Sequence, residues 1–204
     1  MSDKQGSRVA DDADADADAD AGKAWHSIAR GKGIYEAGQT GGAWRVMLGV
    51  VRLDREGEDG PEFGGLALAG DVIGAETLLL GSYTFAARAL TPVVIEPWGA
   101  MAERASPEVL LQALTTTEGR VADTLALRNG SPDRRISRLL ALMGRGLAHG
   151  RKLVRVALPQ LRDIAEMTGL TVETVSRTIS RLKDAGQLDV RGSARERQVW
   201  VTVK

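Results

Sequence analysis

Near its C-terminal end the chain sets Ala165, Gly169 and Val175 four and six residues apart within an otherwise helical pattern. Few arrangements satisfy that spacing. Ala165 is small where two helices must approach, Gly169 breaks the first helix, and Val175 falls on the inner face of the second. Pro159–Gln160 opens the first helix, which runs through Met167, and Thr171 caps the second. Glu173 at the start of that helix and Lys183 near its end both match the helix dipole. Ile164, Leu170 and Ile179 supply further apolar contacts. The pattern predicts a helix-turn-helix. After Gly186 two β-like runs, Leu188–Arg191 and Val199–Val203, flank a link that carries Arg195 and Arg197, which reads as a wing.

With Val175, Ile179 and Leu182 turned inward, the opposite face of the second helix shows Val172, Glu173, Ser176, Arg177 and Ser180. Such a helix enters the DNA major groove by its N-terminal half. Arginine takes guanine bidentately and glutamate accepts from cytosine N4, so Arg177 and Glu173 are the expected base readers. Ser176 bonds either a base or a phosphate, and Val172 offers an apolar contact to a thymine methyl. Thr171, Thr178, Arg181 and Lys183 are expected on phosphates, with Arg195 and Arg197 approaching the backbone from the wing. Charge agrees. The whole chain is neutral, yet residues 131–204 hold 15 Lys/Arg against 7 Asp/Glu, a net of +8, and residues 1–130 carry −8. A basic half of this kind suits a polyanion.

Upstream the texture differs. Ala10–Ala21 alternates small and acidic residues and cannot bury enough apolar surface to offset chain entropy, so residues 1–23 are expected to be a disordered tail. Thirteen of the 24 glycines fall between Gly31 and Gly81, separating short runs such as Arg45–Leu48, Val50–Leu53, Gly65–Ala69 and Phe85–Leu90. Short strands at that interval predict a β-roll or barrel. Gly57–Asp59–Gly60 reads as a hairpin tip, and Thr91–Pro92 turns into a last strand, Val93–Ile95. Gly49, Gly70 and Gly74 serve either a positive φ or a close backbone approach. Ser106 and Pro107 then start a helix. Its stripe, Leu110, Leu111, Leu114, Val121 and Leu125, is narrow and includes Thr117 and Thr124, as a two-helix seam or a helix on its own domain would show. Ser131–Pro132–Asp133 starts another helix, with Ile136, Leu139, Leu140 and Met143 inward and Gly144, Gly146 and Gly150 ending it.

Cysteine is absent and histidine is limited to His26 and His149. Disulfides, thiolate metal sites and a cysteine nucleophile are thereby excluded. No G-x-S-x-G, P-loop or G-x-G-x-x-G occurs, and Glu56 and Glu58 read as solvated loop charges, so an enzyme is not expected. No apolar run of membrane-spanning length exists, and Met1–Val9 is too polar for a secretory signal, so a cytoplasmic protein is expected.

The run from Leu161 to Gly186, L-R-D-I-A-E-M-T-G-L-T-V-E-T-V-S-R-T-I-S-R-L-K-D-A-G, resembles the DNA-binding domain of the Crp/Fnr superfamily of bacterial transcription regulators. G-I-Y-E-A-G-Q (Gly33–Gln39), L-G-V-V-R-L (Leu48–Leu53) and G-D-V-I-G-A-E (Gly70–Glu76) look like its β-roll sensor motifs. The resemblance covers about residues 28–204. It implies an α+β fold: a cyclic-nucleotide-binding-like β-roll at 24–105, a long dimerisation helix at 106–130 and a winged helix-turn-helix at 131–204. It also implies a homodimer on a palindrome and contact with RNA polymerase. Glu173, Ser176 and Arg177 form E-x-x-S-R, similar to the Fnr/FixK-type reader, which implies half-sites close to TTGAT. The cyclic-AMP-receptor type carries arginine where this chain has Val172.

The sensor departs from the pattern. Ala75 follows Gly74, displacing Glu76 by one, and Tyr83–Thr84 stands where the family's phosphate pair has an arginine. Gly74, Glu76, Tyr83 and Thr84 are the effector-pocket candidates. A buried phosphate without its guanidinium is poorly compensated, so cyclic AMP is not expected. No cysteine exists for an oxygen-sensing cluster, and a haem would find only His26 in the sensor half. No cofactor is therefore expected. The alternative is a regulator of the same fold gated by a small molecule, haem or a redox or gas signal at the roll.

Overall fold

The computed structural model describes residues 25–98, 107–148, 150–192 and 197–202. The Asp/Ala tail, Ser106, Arg195 and the side chain of Leu110 lie outside the described residues.

The N-terminal half holds β1 (His26–Ile28), β2 (Gly33–Tyr35), β3 (Ala43–Leu48), β4 (Val50–Gly57), β5 (Gly60–Leu68), β6 (Val72–Ile73), a short α1 (Thr77–Leu80), β7 (Ala86–Ala89) and β8 (Val93–Trp98). They pair antiparallel into two sheets, in the orders β1-β8-β3-β6 and β2-β7-β4-β5. The glycine-separated runs are strands as expected, and the β4–β5 ladder closes on the Gly57–Gly60 pair. Between the sheets lie Val46, Val51, Leu53, Ile73, Val93 and Ile95. Gly49 and Gly74 meet both demands left open by the sequence. Their φ values are 97° and 71°. A Cβ at Gly49 would stand 2.3 Å from the Pro92 carbonyl oxygen, and one at Gly74 2.6 Å from Cε1 of Tyr83.

Next come α2 (Pro107–Leu127) and α3 (Pro132–Leu147), the latter capped by the Ser131 hydroxyl, which accepts from the Arg134 N–H. The expectation that Gly144 and Gly146 end α3 is corrected: both are buried inside it. At Gly146 the lack of a side chain serves packing. A Cβ at Gly146 would stand 2.8 Å from both the Gly49 carbonyl oxygen and Cγ2 of Val50. The Gly49 N–H donates to the Gly146 carbonyl at 3.1 Å, satisfying an acceptor that the last helical turn leaves unpaired. Then follow β9 (Leu153–Ala157), α4 (Leu161–Thr168), α5 (Val172–Asp184), β10 (Val190–Arg191) and β11 (Gln198–Thr202). The last sheet runs β10-β11-β9.

The two halves share β4. Strand side chains alternate, so Val51 and Leu53 enter the roll while Val50 and Arg52 face outward. Val50 joins a second apolar cluster with Leu127, Ile136, Leu139, Ile164 and Val175, which seats the helix-turn-helix on the roll. Burial of each such aliphatic side chain contributes about 1.5–3 kcal/mol. Among the described residues no helix is long and apolar enough to cross a membrane.

Candidate nucleic-acid interface

Local chemistry fixes α5. The Thr171 hydroxyl accepts from the Thr174 N–H at 3.1 Å and donates to Oγ1 of Thr174 at 2.9 Å. Gly169 takes the left-handed conformation, φ 63°, that closes α4. Val175, Thr178, Ile179 and Leu182 form the buried face. They press on Ile164 and Met167, both fully buried, and Ala165 leaves room for the crossing.

What remains outward is the set predicted to read bases. Val172, Glu173, Ser176, Arg177 and Ser180 are all exposed. Arg177 Nη2 lies 3.3 Å from Glu173 Oε1, one turn away, with side-chain exposures of 72% and 76%. An exposed pair at this spacing is worth about 0.3–0.5 kcal/mol, so either partner is released cheaply when a base offers a better bond.

The expected backbone contacts divide. Thr171 and Lys183 are exposed. Arg181 is exposed but ion-paired to Asp133 in the first turn of α3. Thr178 is corrected: at 3% exposure it belongs to the core, because the helical period places it with Val175 and Leu182. Arg197 is half-buried, and its carbonyl accepts the Leu158 N–H at 2.8 Å.

On α2, Leu111, Leu114, Val121 and Leu125 are each more than half exposed. Another side of α2 meets the roll. Arg120 donates to the Val72 carbonyl at 3.1 Å and to Oγ1 of Thr117 at 2.9 Å. Here Gly74, Glu76 and Thr84 line a cavity of about 280 Å³ with Tyr35, Phe85 and Arg120. The Thr84 N–H donates to Oε1 of Glu76 at 3.2 Å. Tyr83 is corrected, since it does not line the cavity. Its ring stacks on Tyr35 at 3.7 Å, and its hydroxyl donates to the Gly42 carbonyl at 2.7 Å. Burial, reinforced by Glu76, holds the Tyr35 phenol well above its ordinary range. Arg120 escapes a reading of the sequence alone. Its one signal is its spacing of three and four residues from Thr117 and Thr124, the polar members of the leucine stripe.

Residues 133–201 match the family described as a Crp-like helix-turn-helix domain. The nitrogen fixation regulation protein FixK of Rhizobium meliloti (strain 1021) is 33% identical over 167 residues, which cover 79% of this chain and 76% of the relative. Among solved structures, FixK2 from Bradyrhizobium japonicum superposes with a TM-score of 0.66 at 25% identity, covering 89% of this chain and 92% of its own. A CRP-family transcriptional regulator from Thermus thermophilus gives 0.67 at 24% identity, covering 87% and 91%, a likeness of fold.

Proposed function

The chain belongs to the Crp/Fnr family of DNA-binding transcription regulators, and from that premise we propose that it binds a palindromic site with TTGAT-like half-sites as a homodimer and activates transcription by contacting RNA polymerase. The outward set on α5 carries this reading: a capped helix that presents a glutamate, a serine and an arginine to solvent and keeps only apolar residues and Thr178 inward. The exposed α2 leucines supply a surface for a second copy, and two copies related by a two-fold axis match an inverted repeat.

In this reading Arg177 and Glu173 read base edges, Ser176 and Val172 assist, and Thr171, Arg181, Lys183 and the wing arginines hold phosphates. The protein acts in the cytoplasm and carries out no catalysis. It holds no resident cofactor. No thiolate exists for a cluster, and His26 is packed edge-on against Trp44, ring centroids 5.1 Å apart. Arg177→Ala is expected to weaken binding to a TTGAT palindrome by about 1–3 kcal/mol per half-site and to relax preference at one base pair. Equal affinity of variant and parent sinks the reading, as does a monomeric mass by light scattering at micromolar concentration.

A second reading has one observation in its favour. The cavity beside Arg120 and Glu76 abuts α2, the helix that carries the exposed leucines. A small molecule seated there would bias how α2 lies on the roll, and with it the dimer. DNA binding that requires a low-molecular-weight cell extract favours this gated form, and a Soret band in the purified protein would identify haem as the signal carrier.

A further inference from the structure

We propose that Arg52 is a positioning residue for DNA recognition: it fixes the angle of the helix-turn-helix on the roll and so sets which half-site spacing the dimer accepts. The inference rests on the dimeric palindrome reading above, which it deepens.

Arg52 sits in mid-β4 at 3% exposure, and each guanidinium nitrogen meets a different carboxylate. Nε donates to Asp54 at 2.7 Å, Nη1 to Asp163 at 3.1 Å, and Nη2 lies 2.7 Å from Glu166. Asp54 belongs to the roll, whereas Asp163 and Glu166 both belong to α4. Arg88 of β7 stands directly across the sheet from Arg52. Two like charges in that register repel. The Asp163 carboxylate relieves the repulsion by accepting from Arg88 as well, at 2.8 Å. Sheet and helix thus form one linked set of charges, extended by Arg162, which donates to Glu166 at 3.0 Å, and flanked by the Phe63 ring 5.7 Å from the Arg52 guanidinium carbon.

The apolar seam around Val50 and Ile164 attracts without direction. It holds the two halves together but does not by itself fix the direction of α4. The planar fork of Arg52 is directional, and a guanidinium bonded at all three nitrogens tolerates little rotation of its partners. Because α4 and α5 cross at Ala165 in one core, the orientation of α4 is the orientation of α5. Arg120 ties α2 to the roll through the Val72 carbonyl. A dimer built on α2 therefore hands its geometry to the helix-turn-helix by two routes, directly to α3 through pairs such as Asp123–Arg145 at 2.7 Å, and to α4 through the roll and Arg52. Half-sites one DNA turn apart require the two α5 helices about 34–36 Å apart, and one inserted base pair changes both their distance and their rotation.

Arg52→Lys keeps the charge and loses the fork. Asp163→Asn is the second variant, which leaves Arg52 bound to Asp54 and Glu166. Binding is measured on palindromes with the parental spacing and with one base pair added or removed, together with base preference inside each half-site. The parent is expected to lose roughly 100-fold in affinity on the altered spacings. Both variants are expected to lose about 10-fold or less on them, with base preference inside the half-site unchanged. A second readout needs no DNA. Because the chain has no cysteine, Glu58→Cys on the β4–β5 tip and Asp184→Cys at the end of α5 place two spin labels at chosen sites. Their distance distribution is expected to be narrow in the parent background and broad with Arg52→Lys. Unchanged spacing penalties with equally narrow distributions overturn the inference. A parent indifferent to spacing overturns the dimeric palindrome reading instead, and the distance distributions then decide the role of Arg52 on their own.

Discussion

On the outward face of α5, Arg177 and Glu173 stand 3.3 Å apart with 72% and 76% of their side chains in solvent. At the seam, Arg52 stands 3.1 Å from Asp163 with 3% exposed. The functional groups are alike and the environments opposite. Water screens the first pair, so it is weak and exchangeable, which suits the base-reading role proposed for it. The second pair is shielded, and each member depends on the other to be tolerated where it is. The same kind of pair is thus loosely held on the surface and committed to the fold at the seam.

Substitutions at the two places are expected to separate accordingly. Arg52→Met leaves Asp54 without its arginine and Asp163 and Glu166 with only Arg88 and Arg162, and is expected to lower unfolding stability by about 3–5 kcal/mol, read by urea melts. If the loss is below about 1 kcal/mol, the seam is no more committed than the reading face. Gly146→Ala forces a methyl against the Gly49 carbonyl and Val50 and is expected to cost about 1–3 kcal/mol in the same assay. On the α5 side, Thr171→Ala removes the cap and is expected to cost about 1 kcal/mol, with the seam unaffected.

The smallest effect belongs to Asp71, whose carboxylate accepts the Leu68 N–H at 2.9 Å. Burial pushes its pKa above the ordinary value, against the pull of that hydrogen bond and of Arg120. Between the ordinary and the raised value the folded chain holds a proton that the unfolded chain has lost. Its contribution therefore favours the fold at acid pH and is lost as pH rises through the raised value. Asp71→Asn keeps an acceptor for Leu68 and removes the charge. It is expected to gain about 0.5 kcal/mol at pH 7 and nothing below the ordinary carboxylate range. A gain that persists in acid would mean that ionisation is not its source.

Legibility in the sequence follows the distance over which each feature is decided. Caps at Ser131 and Thr171, the turn at Gly169 and the Gly57–Gly60 hairpin depend on three or four neighbouring residues, and each is readable there. Thr178 is misplaced when judged by residue type, although its spacing from Val175 and Leu182 already sets it inward. Gly144 and Gly146 read as a stop because glycine weakens an isolated helix, yet α3 continues through both, and at Gly146 close contact with Gly49 and Val50 outweighs that local preference. Tyr83 enters the pocket only by its place in a motif, whereas its stacking on Tyr35 is a contact between distant segments. The Arg52–Asp163 pair joins residues 111 positions apart, and no local pattern announces it.

The alternation along β4 has a consequence for how the chain tolerates length changes. Val51 and Leu53 fill one interior while Val50 and Arg52 serve another, so the strand is a wall shared by two rooms. Deleting Val51 would put an arginine into the roll and a leucine among carboxylates, spoiling both at once. At the Gly57–Gly60 tip, a few residues along the same strand, an insertion only lengthens an exposed loop. Viable insertions and deletions in this hairpin are therefore expected at its tip, with the Val50–Leu53 segment fixed in length.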